Sequence, residues 1–74
     1  MEFLLPAPTR ARLALHDLAG RQTKLLADAD FPVGPNRVFW NGDDARGTPV
    51  PPGVYVARLE TGGEAAERFV IVTR

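Results

Sequence analysis

Apolar and polar residues alternate along most of this chain with a period of two. Within Arg10–His16, one face of an extended strand would carry Ala11, Leu13 and Leu15. A period of two predicts β-strands, because a helix repeats its apolar positions every three or four residues. The competing interpretation is a helix over Arg10–Leu26, which is rich in Ala, Leu and Arg, but Gly20 and the alternation both oppose it.

The alternation predicts six to seven short strands. The best marked are Glu2–Leu5, Arg10–His16, Arg21–Leu26, Asn36–Trp40, Val54–Glu60 and Ala66–Thr73. Tight turns are expected at Asp17–Gly20, with Gly20 at positive φ, and at Thr61–Gly63. Ala27–Gly34 and Asn41–Gly53 are expected to be loops. Strands and turns in such close succession are typical of a sandwich or a small barrel, so the predicted fold class is all-β.

Composition and charge exclude several functions. A chain of 74 residues forms one domain, residues 1–74, and its formal net charge is zero with both signs interspersed. Binding to a nucleic-acid duplex needs a concentrated cationic surface, so no nucleic-acid partner is expected. No segment approaches the roughly 18 consecutive apolar residues of a membrane span, so no membrane insertion is expected.

The residue types needed for catalysis are scarce. The chain contains no cysteine and no serine, and His16 is its one histidine. Asp17 would point to the opposite face of the strand from His16, so the two do not form an acid–base pair. The sequence therefore predicts no catalytic residue, no cofactor and no enzymatic activity.

One loop gathers three oxygen-bearing side chains, which are those of Asn41, Asp43 and Asp44. A calcium ion takes six to eight oxygen ligands, and no further acid follows until Glu60, so no metal site is predicted and calcium bound by these three side chains is the less favoured alternative. These side chains are expected instead to brace the loop by accepting backbone N–H bonds. Gly42 and Gly47 would take backbone conformations that other residues avoid.

The largest side chains are assigned to the core. Trp40 is in phase with Val38, and together with Tyr55 it is expected to fill the interior. The alternative for these two aromatics is a platform that stacks on sugars. Arg10, Arg12 and His16 share one face of the second strand, which is expected to be solvated and opposed by counter-charges, with a patch for an acidic partner as the alternative.

Apolar residues on the outward side suggest an interaction surface. If Tyr55 faces the core then its neighbours on the strand face out, and if Phe69 and Ile71 face the core then the next two valines face out. The predicted surface therefore consists of Phe39, Val54, Val56, Val70 and Val72. Glu2–Leu5 offers a second route to partners, because a short edge strand can be displaced and leave a sheet edge open for strand addition.

Several motifs carry a resemblance to a known family. They are an alternating strand closed by an Asp and a Gly-Arg turn (Ala11–Arg21), a Trp-x-Gly-x-Asp…Gly…Pro-Gly-Val-Tyr block (Trp40–Tyr55) and a closing Phe69–Val72 strand. The chain resembles the Ig-like domain of the flagellar hook-capping protein (FlgD), and similar domains at the C-termini of extracellular bacterial proteins, some of them type IX secretion sorting domains. It lacks the Pro-Asn-Pro-Phe-like segment that members carry before the first strand, and His16 stands where an aromatic is common.

The resemblance implies an Ig-like antiparallel β-sandwich of six to seven short strands. It implies a non-catalytic C-terminal module that sorts, attaches or displays a larger exported bacterial protein, outside the cell or at its surface. The partner would be a protein: the secretion machinery, a neighbouring domain or a second copy. The first alternative is a self-assembling scaffold subunit of a cell-surface or hook-like assembly, and a carbohydrate-binding module ranks lower. Residues 1–6 are too short and too acidic for an export signal.

Overall fold

The alternation folds into six strands in the computed structural model, which describes residues 1–73. They are β1 (Glu2–Leu5), β2 (Thr9–His16), β3 (Gln22–Phe31), β4 (Gly34–Arg37), β5 (Gly53–Thr61) and β6 (Glu64–Val72). Residues 1–73 contain no helix, so the competing helix over Arg10–Leu26 is excluded. Within the same range, nothing could cross a membrane as a helix. Arg74, the last residue of the predicted domain, lies outside the described residues.

Two antiparallel sheets form a sandwich-like arrangement. The larger sheet has the order β3-β2-β5-β6, and the smaller one pairs β1 with β4. The predicted all-β antiparallel sandwich is confirmed, with six strands. The two middle strands of the larger sheet, β2 and β5, carry most of the buried side chains, while β3 and β6 form its edges.

The hairpin between β2 and β3 forms as predicted. Gly20 has a φ of 87°, and the Asp17 carboxylate accepts hydrogen bonds from the backbone N–H groups of Ala19 (3.0 Å) and Arg21 (2.9 Å). An aspartate that accepts from the backbone two residues on stabilises a turn in this way. The turn therefore closes the hairpin, and the ladder shifts register between His16 and Leu15 and again between Ala14 and Leu13.

The predicted loop Ala27–Gly34 is wrong, because β3 continues to Phe31 and β4 already begins at Gly34. The predicted strand Asn36–Trp40 is displaced for the same reason, and β4 ends at Arg37. Pro32 and Gly34 in this stretch suggest a loop. In the sheet, however, Asp28 lies 3.2 Å from Arg10 of β2, and this ion pair contributes to the extension.

The core forms where the sheets face each other. Its buried cluster consists of Leu13, Leu15, Val50, Tyr55 and Ala57. Nine further side chains pack against it, namely Met1, Phe3, Leu26, Ala27, Val38, Trp40, Leu59, Val70 and Val72. The assignment of Trp40 and Tyr55 to the core is confirmed, and their rings meet edge to face with centroids 5.8 Å apart.

The predicted orientation of Val70 and Val72 is wrong. Val70 lies opposite Tyr55 in the β5–β6 ladder, and residues directly opposite each other point to the same face, so both valines turn toward the core. Phe69 and Ile71 point outward instead. Every residue of Phe69–Val72 is apolar, so alternation alone does not show which of them face the core. A shift of one residue in the strand pairing would turn the core-facing residues outward and the outward-facing ones toward the core.

Removal of the Leu15 side chain should cost much of the stability of this domain. Leu15 is completely buried, and truncation of a buried leucine to alanine typically costs about 2–5 kcal/mol. A single core of this size supplies roughly 3–5 kcal/mol in total. We therefore expect Leu15→Ala to be largely unfolded in a urea titration followed by tryptophan fluorescence. The control Leu4→Ala, at a side chain that is 77% exposed, should change the stability by less than about 0.5 kcal/mol.

Candidate interaction surface

The side of the larger sheet that points away from the core, here called the outer face, is divided into two halves. One half is charged, and its charges are paired. Arg10 lies 3.2 Å from Asp28, Arg12 lies 3.5 Å from Glu60, and Arg58 lies 3.5 Å from Glu60 and 3.0 Å from Glu67. The prediction that Arg10 and Arg12 face counter-charges is confirmed. Exposed pairs of this kind contribute only about 0–1 kcal/mol each, but they leave no concentrated charge on this half.

The other half of the outer face is apolar. It consists of two cross-strand pairs, Val56 with Phe69 and Val54 with Ile71, and these four residues are called the apolar row. Phe69 is 72% exposed and Ile71 is 71% exposed, although both belong to a regular strand. Large apolar side chains that are exposed together, and not singly, indicate a surface that another molecule covers.

A groove lies beside the apolar row at the β2–β3 turn. Its volume is about 680 Å³, and its lining includes His16, Leu18, Val56 and Phe69. His16 is partly buried on the outer face, and its Nε2 atom is buried without a hydrogen-bond partner among residues 1–73. Asp17, the neighbouring acid, is engaged in the turn. Hydrogen bonds from Arg21 lower the pKa of Asp17, while partial burial opposes that shift.

The structure does not bring the predicted surface residues together. Val54 and Val56 lie on the outer face as expected, whereas Val70 and Val72 pack on the core. Phe39 is exposed but follows β4 in the other sheet. Phe69 and Ile71 were missed, yet the sequence contained a signal for them. A two-residue turn at Gly62 and Gly63 pairs Thr61 with Glu64, and counting outward from that pair places Val70 opposite Tyr55.

The acidic loop is braced by its own carboxylates. Asp44 Oδ1 accepts hydrogen bonds from the backbone N–H groups of Arg46 (2.9 Å) and Thr48 (3.0 Å), which confirms the predicted bracing role for Asp44. Gly42 and Gly47 have φ values of 73° and 81°, also as predicted. Within residues 1–73, no three His, Cys, Asp or Glu side chains come together as metal ligands would.

The main partner of the Asp43 carboxylate is an ammonium group. Both of its carboxylate oxygens accept hydrogen bonds from Lys24 Nζ at 2.8 Å, across from β3. This interaction lowers the pKa of Asp43, with partial burial acting in the opposite direction. The pair ties the loop to the larger sheet.

The two core aromatics also hold this loop. The Trp40 indole N–H donates to the backbone oxygen of Asp43 at 2.8 Å, and the Tyr55 hydroxyl donates to that of Pro51 at 2.6 Å. The rings are inclined at 68° and packed on the core, so they do not form the coplanar exposed platform that sugar stacking requires. Val50, which lies between these anchors, is thereby held in the buried cluster.

Comparison with known protein families, curated proteins and solved structures finds no match for this chain. The resemblance to hook-capping and sorting domains therefore stays a prediction. It rests on the segment Ala11–Arg21 and the block Trp40–Tyr55, whose structural roles are those of a strand with its hairpin turn and a core-bound loop, and on the closing strand Phe69–Val72.

The contribution of the Asp43–Lys24 pair to stability should disappear in acid. A carboxyl group whose pKa is lowered by folding stabilises the protein above its unfolded pKa of about 3.9, and the stabilisation is lost as the pH falls through the folded pKa. Asp43→Asn should therefore be less stable than the natural chain at pH 7, and the difference should shrink progressively as the pH falls below about 3.9 and through the lowered folded pKa. Urea titrations at several pH values measure this.

The control is Asp30→Asn, at a carboxylate with no ion pair among residues 1–73. It should stay within about 0.5 kcal/mol of the natural chain throughout the pH range. A pH-independent difference for Asp43→Asn would contradict the assigned role of the ion pair.

Proposed function

We propose that this domain is a non-catalytic attachment module that binds another protein through the apolar row and the neighbouring strand β6. The observation that carries the proposal is the exposure of Phe69 and Ile71 on a sheet face that no other element of residues 1–73 covers. Burial of a phenylalanine or isoleucine side chain contributes about 1.5–3 kcal/mol, so a partner that covers both gains appreciable affinity.

The surroundings of the apolar row favour a protein as the partner. Specific protein interfaces combine an apolar centre that contains aromatic residues with a polar rim. Here Phe69 and Ile71 would be the centre, and the ion pairs of Arg58 with Glu60 and Glu67 would be part of the rim. Those pairs are already neutralised within the domain, and the formal net charge of the chain is zero. This charge balance supports neither a phosphate backbone nor an anionic membrane as the partner.

The absence of catalysis is part of the same proposal. The one histidine, His16, has no acid beside it, because the Asp17 carboxylate accepts hydrogen bonds from Ala19 and Arg21. The chain has no serine or cysteine nucleophile. An attachment role requires only a stable fold and an exposed surface.

The more specific role rests on the resemblance. Hook-capping and type IX sorting domains suggest a C-terminal module that sorts, attaches or displays a larger exported bacterial protein, outside the cell or at its surface. A structural subunit that assembles with copies of itself is the second candidate. It is favoured by one observation, which is that β6 ends the larger sheet with a free edge.

A fusion to an exported reporter enzyme tests the attachment function in the bacterium that encodes the domain. With residues 1–74 at its C-terminus, the reporter should be cell-associated. With Phe69→Lys and Ile71→Lys together, the amount of reporter in the medium should rise at least about tenfold, because binding would then require two ammonium groups to be desolvated at the interface.

Phe39→Lys with Leu4→Lys is the matched control, because it adds the same two charges at equally exposed apolar residues outside the larger sheet. It should leave the reporter on the cells. Equal release of the reporter with and without the domain would rule out an attachment function.

A further inference from the structure

We propose that β6 also binds β6 of a second copy of this chain, edge to edge and antiparallel, with Phe69 on the two-fold axis. The two larger sheets then form one continuous eight-stranded sheet. This inference rests on the proposed function, since it names a partner for the same side of the domain.

The edge of β6 is free. β6 is the last strand of the larger sheet, and no backbone hydrogen bond outside the strand ladders involves it within residues 1–73. All residues from Glu64 to Phe69 are exposed, although side chains in this stretch alternate between the two faces. The first two-thirds of β6 is therefore uncovered on both faces and along its edge.

The backbone groups at this edge follow from the β5–β6 ladder. Hydrogen-bonded and non-hydrogen-bonded pairs alternate in antiparallel sheets. The ladder begins at the two-residue turn with Thr61 opposite Glu64 and continues without a register shift. Counted from that closing pair, the even-numbered residues bond to β5. Glu67, Phe69 and Ile71 then direct their N–H and C=O groups toward the free edge.

Other edges of the fold carry features that prevent strand addition. β3 has two register shifts, and its backbone oxygen at Thr23 accepts a hydrogen bond from the Ala45 N–H at 3.2 Å. β4 contains Pro35, and Pro6 follows β1. Bulges, prolines and covering loops are the usual protection of edge strands. β6 has no proline, lysine or bulge, so it is the strand best suited to pair with another chain.

Charge selects the register of the pairing. A two-fold axis at Arg68 or Glu67 would place like charges directly opposite each other, which destabilises a cross-strand pair. An axis at Phe69 avoids this. It places Phe69 opposite its own counterpart, Glu67 opposite Ile71 and Arg68 opposite Val70 of the second copy. With the axis at Phe69, residues 66–72 of each copy enter the intermolecular ladder. With the axis at Val70, only residues 68–72 of β6 would do so, and the ladder would be shorter.

A second copy fits this edge in two other respects. The chain has zero formal net charge, so two copies do not repel each other. In a symmetric pairing, each free N–H group on the β6 edge of one copy also meets a free C=O group on the same edge of the other copy, as a two-fold interface requires. One strand edge buries less than the roughly 1,200 Å² of a standard interface. We therefore expect a weak dimer with a dissociation constant of about 0.1–1 mM.

Sedimentation equilibrium from about 10 μM to 1 mM, which spans that range, tests the dimer. The natural chain should dimerise as its concentration rises. Glu67→Pro should remain monomeric, because proline removes an N–H from the free edge and sterically blocks the ladder, whereas its β5 pairing is unaffected. Glu67→Ala is the matched control. It loses the ion pair with Arg58 but keeps the edge, so it should dimerise like the natural chain.

Three outcomes would overturn the proposal: a natural chain that stays monomeric, dimers of Glu67→Pro, or monomers of both Glu67 variants. A second measurement covers the case in which Glu67→Pro does not fold. Since the chain has no cysteine, Ala65→Cys carries a single nitroxide label. Mixed with a ¹⁵N-labelled natural chain, it should broaden amide signals most at Val72 and Thr73. Broadening centred on β1 or β4, or none, would refute β6 pairing.

The two proposals fail separately. A natural chain that is monomeric throughout overturns the dimer but leaves reporter attachment possible through another protein. An intact dimer together with reporter release that is independent of the domain overturns the attachment function and leaves the self-pairing.

Discussion

A two-stranded sheet has to cover a four-stranded sheet, and the rest of this structure follows from that mismatch. Phe3 of β1 and Val38, which follows β4, pack against the buried cluster that Leu13, Leu15 and Tyr55 of β2 and β5 help to form. Protein interiors tolerate few voids, so additional cover is needed. The loop between β4 and β5 supplies it with Val50 and Trp40.

That loop is irregular, and its attachment to the core depends on a small number of directional contacts. The Trp40 indole and the Tyr55 hydroxyl bond to loop carbonyls, and Lys24 holds Asp43 from β3. Because no disulfide or metal cross-link joins these parts in residues 1–73, packing and these hydrogen bonds must stabilise the domain. The Trp-x-Gly-x-Asp and Pro-Gly-Val-Tyr motifs thus act here as structural elements of the core.

The same mismatch leaves β6 uncovered. It contributes Val70 and Val72 to the core, but its other residues have nothing packed over them in the described chain, and Phe69 and Ile71 face solvent. A small domain that exposes such residues on a regular edge strand gains stability from a partner that covers them. The exposure of β6 and the proposed attachment function therefore have the same cause, which is that the two-stranded sheet is too small to cover the four-stranded sheet.

Much of this structure was predictable, and the failures have identifiable reasons. Local turn chemistry located the Asp17–Gly20 hairpin, the bounds of β1 and the Asp44 brace, because each depends on neighbours in sequence. Phase with Val38 placed Trp40 in the core. The extension of β3 to Phe31 depends on arginines of another strand, which local composition does not contain.

The phase of β6 failed for a different reason. Phe69–Val72 is apolar on both faces, so hydrophobic alternation has no preferred phase there, and register is set by turn length. Since half of the candidate surface is defined by that phase, the error put Val70 and Val72, which pack on the core, in the place of Phe69 and Ile71. Strand order, which shows that β6 is an edge, depends on long-range pairing and was not accessible from the pattern alone.

Amide hydrogen exchange along β6 at two protein concentrations tests the central claim most directly. In dilute solution, the amides of Arg68 and Val70 should be protected by β5, while those of Phe69 and Ile71 exchange nearly freely. At about 1 mM, where a weak dimer is populated, the latter two should gain protection. Equal protection of all four amides in dilute solution would contradict the account, because it would mean that the edge of β6 is already covered within a single copy.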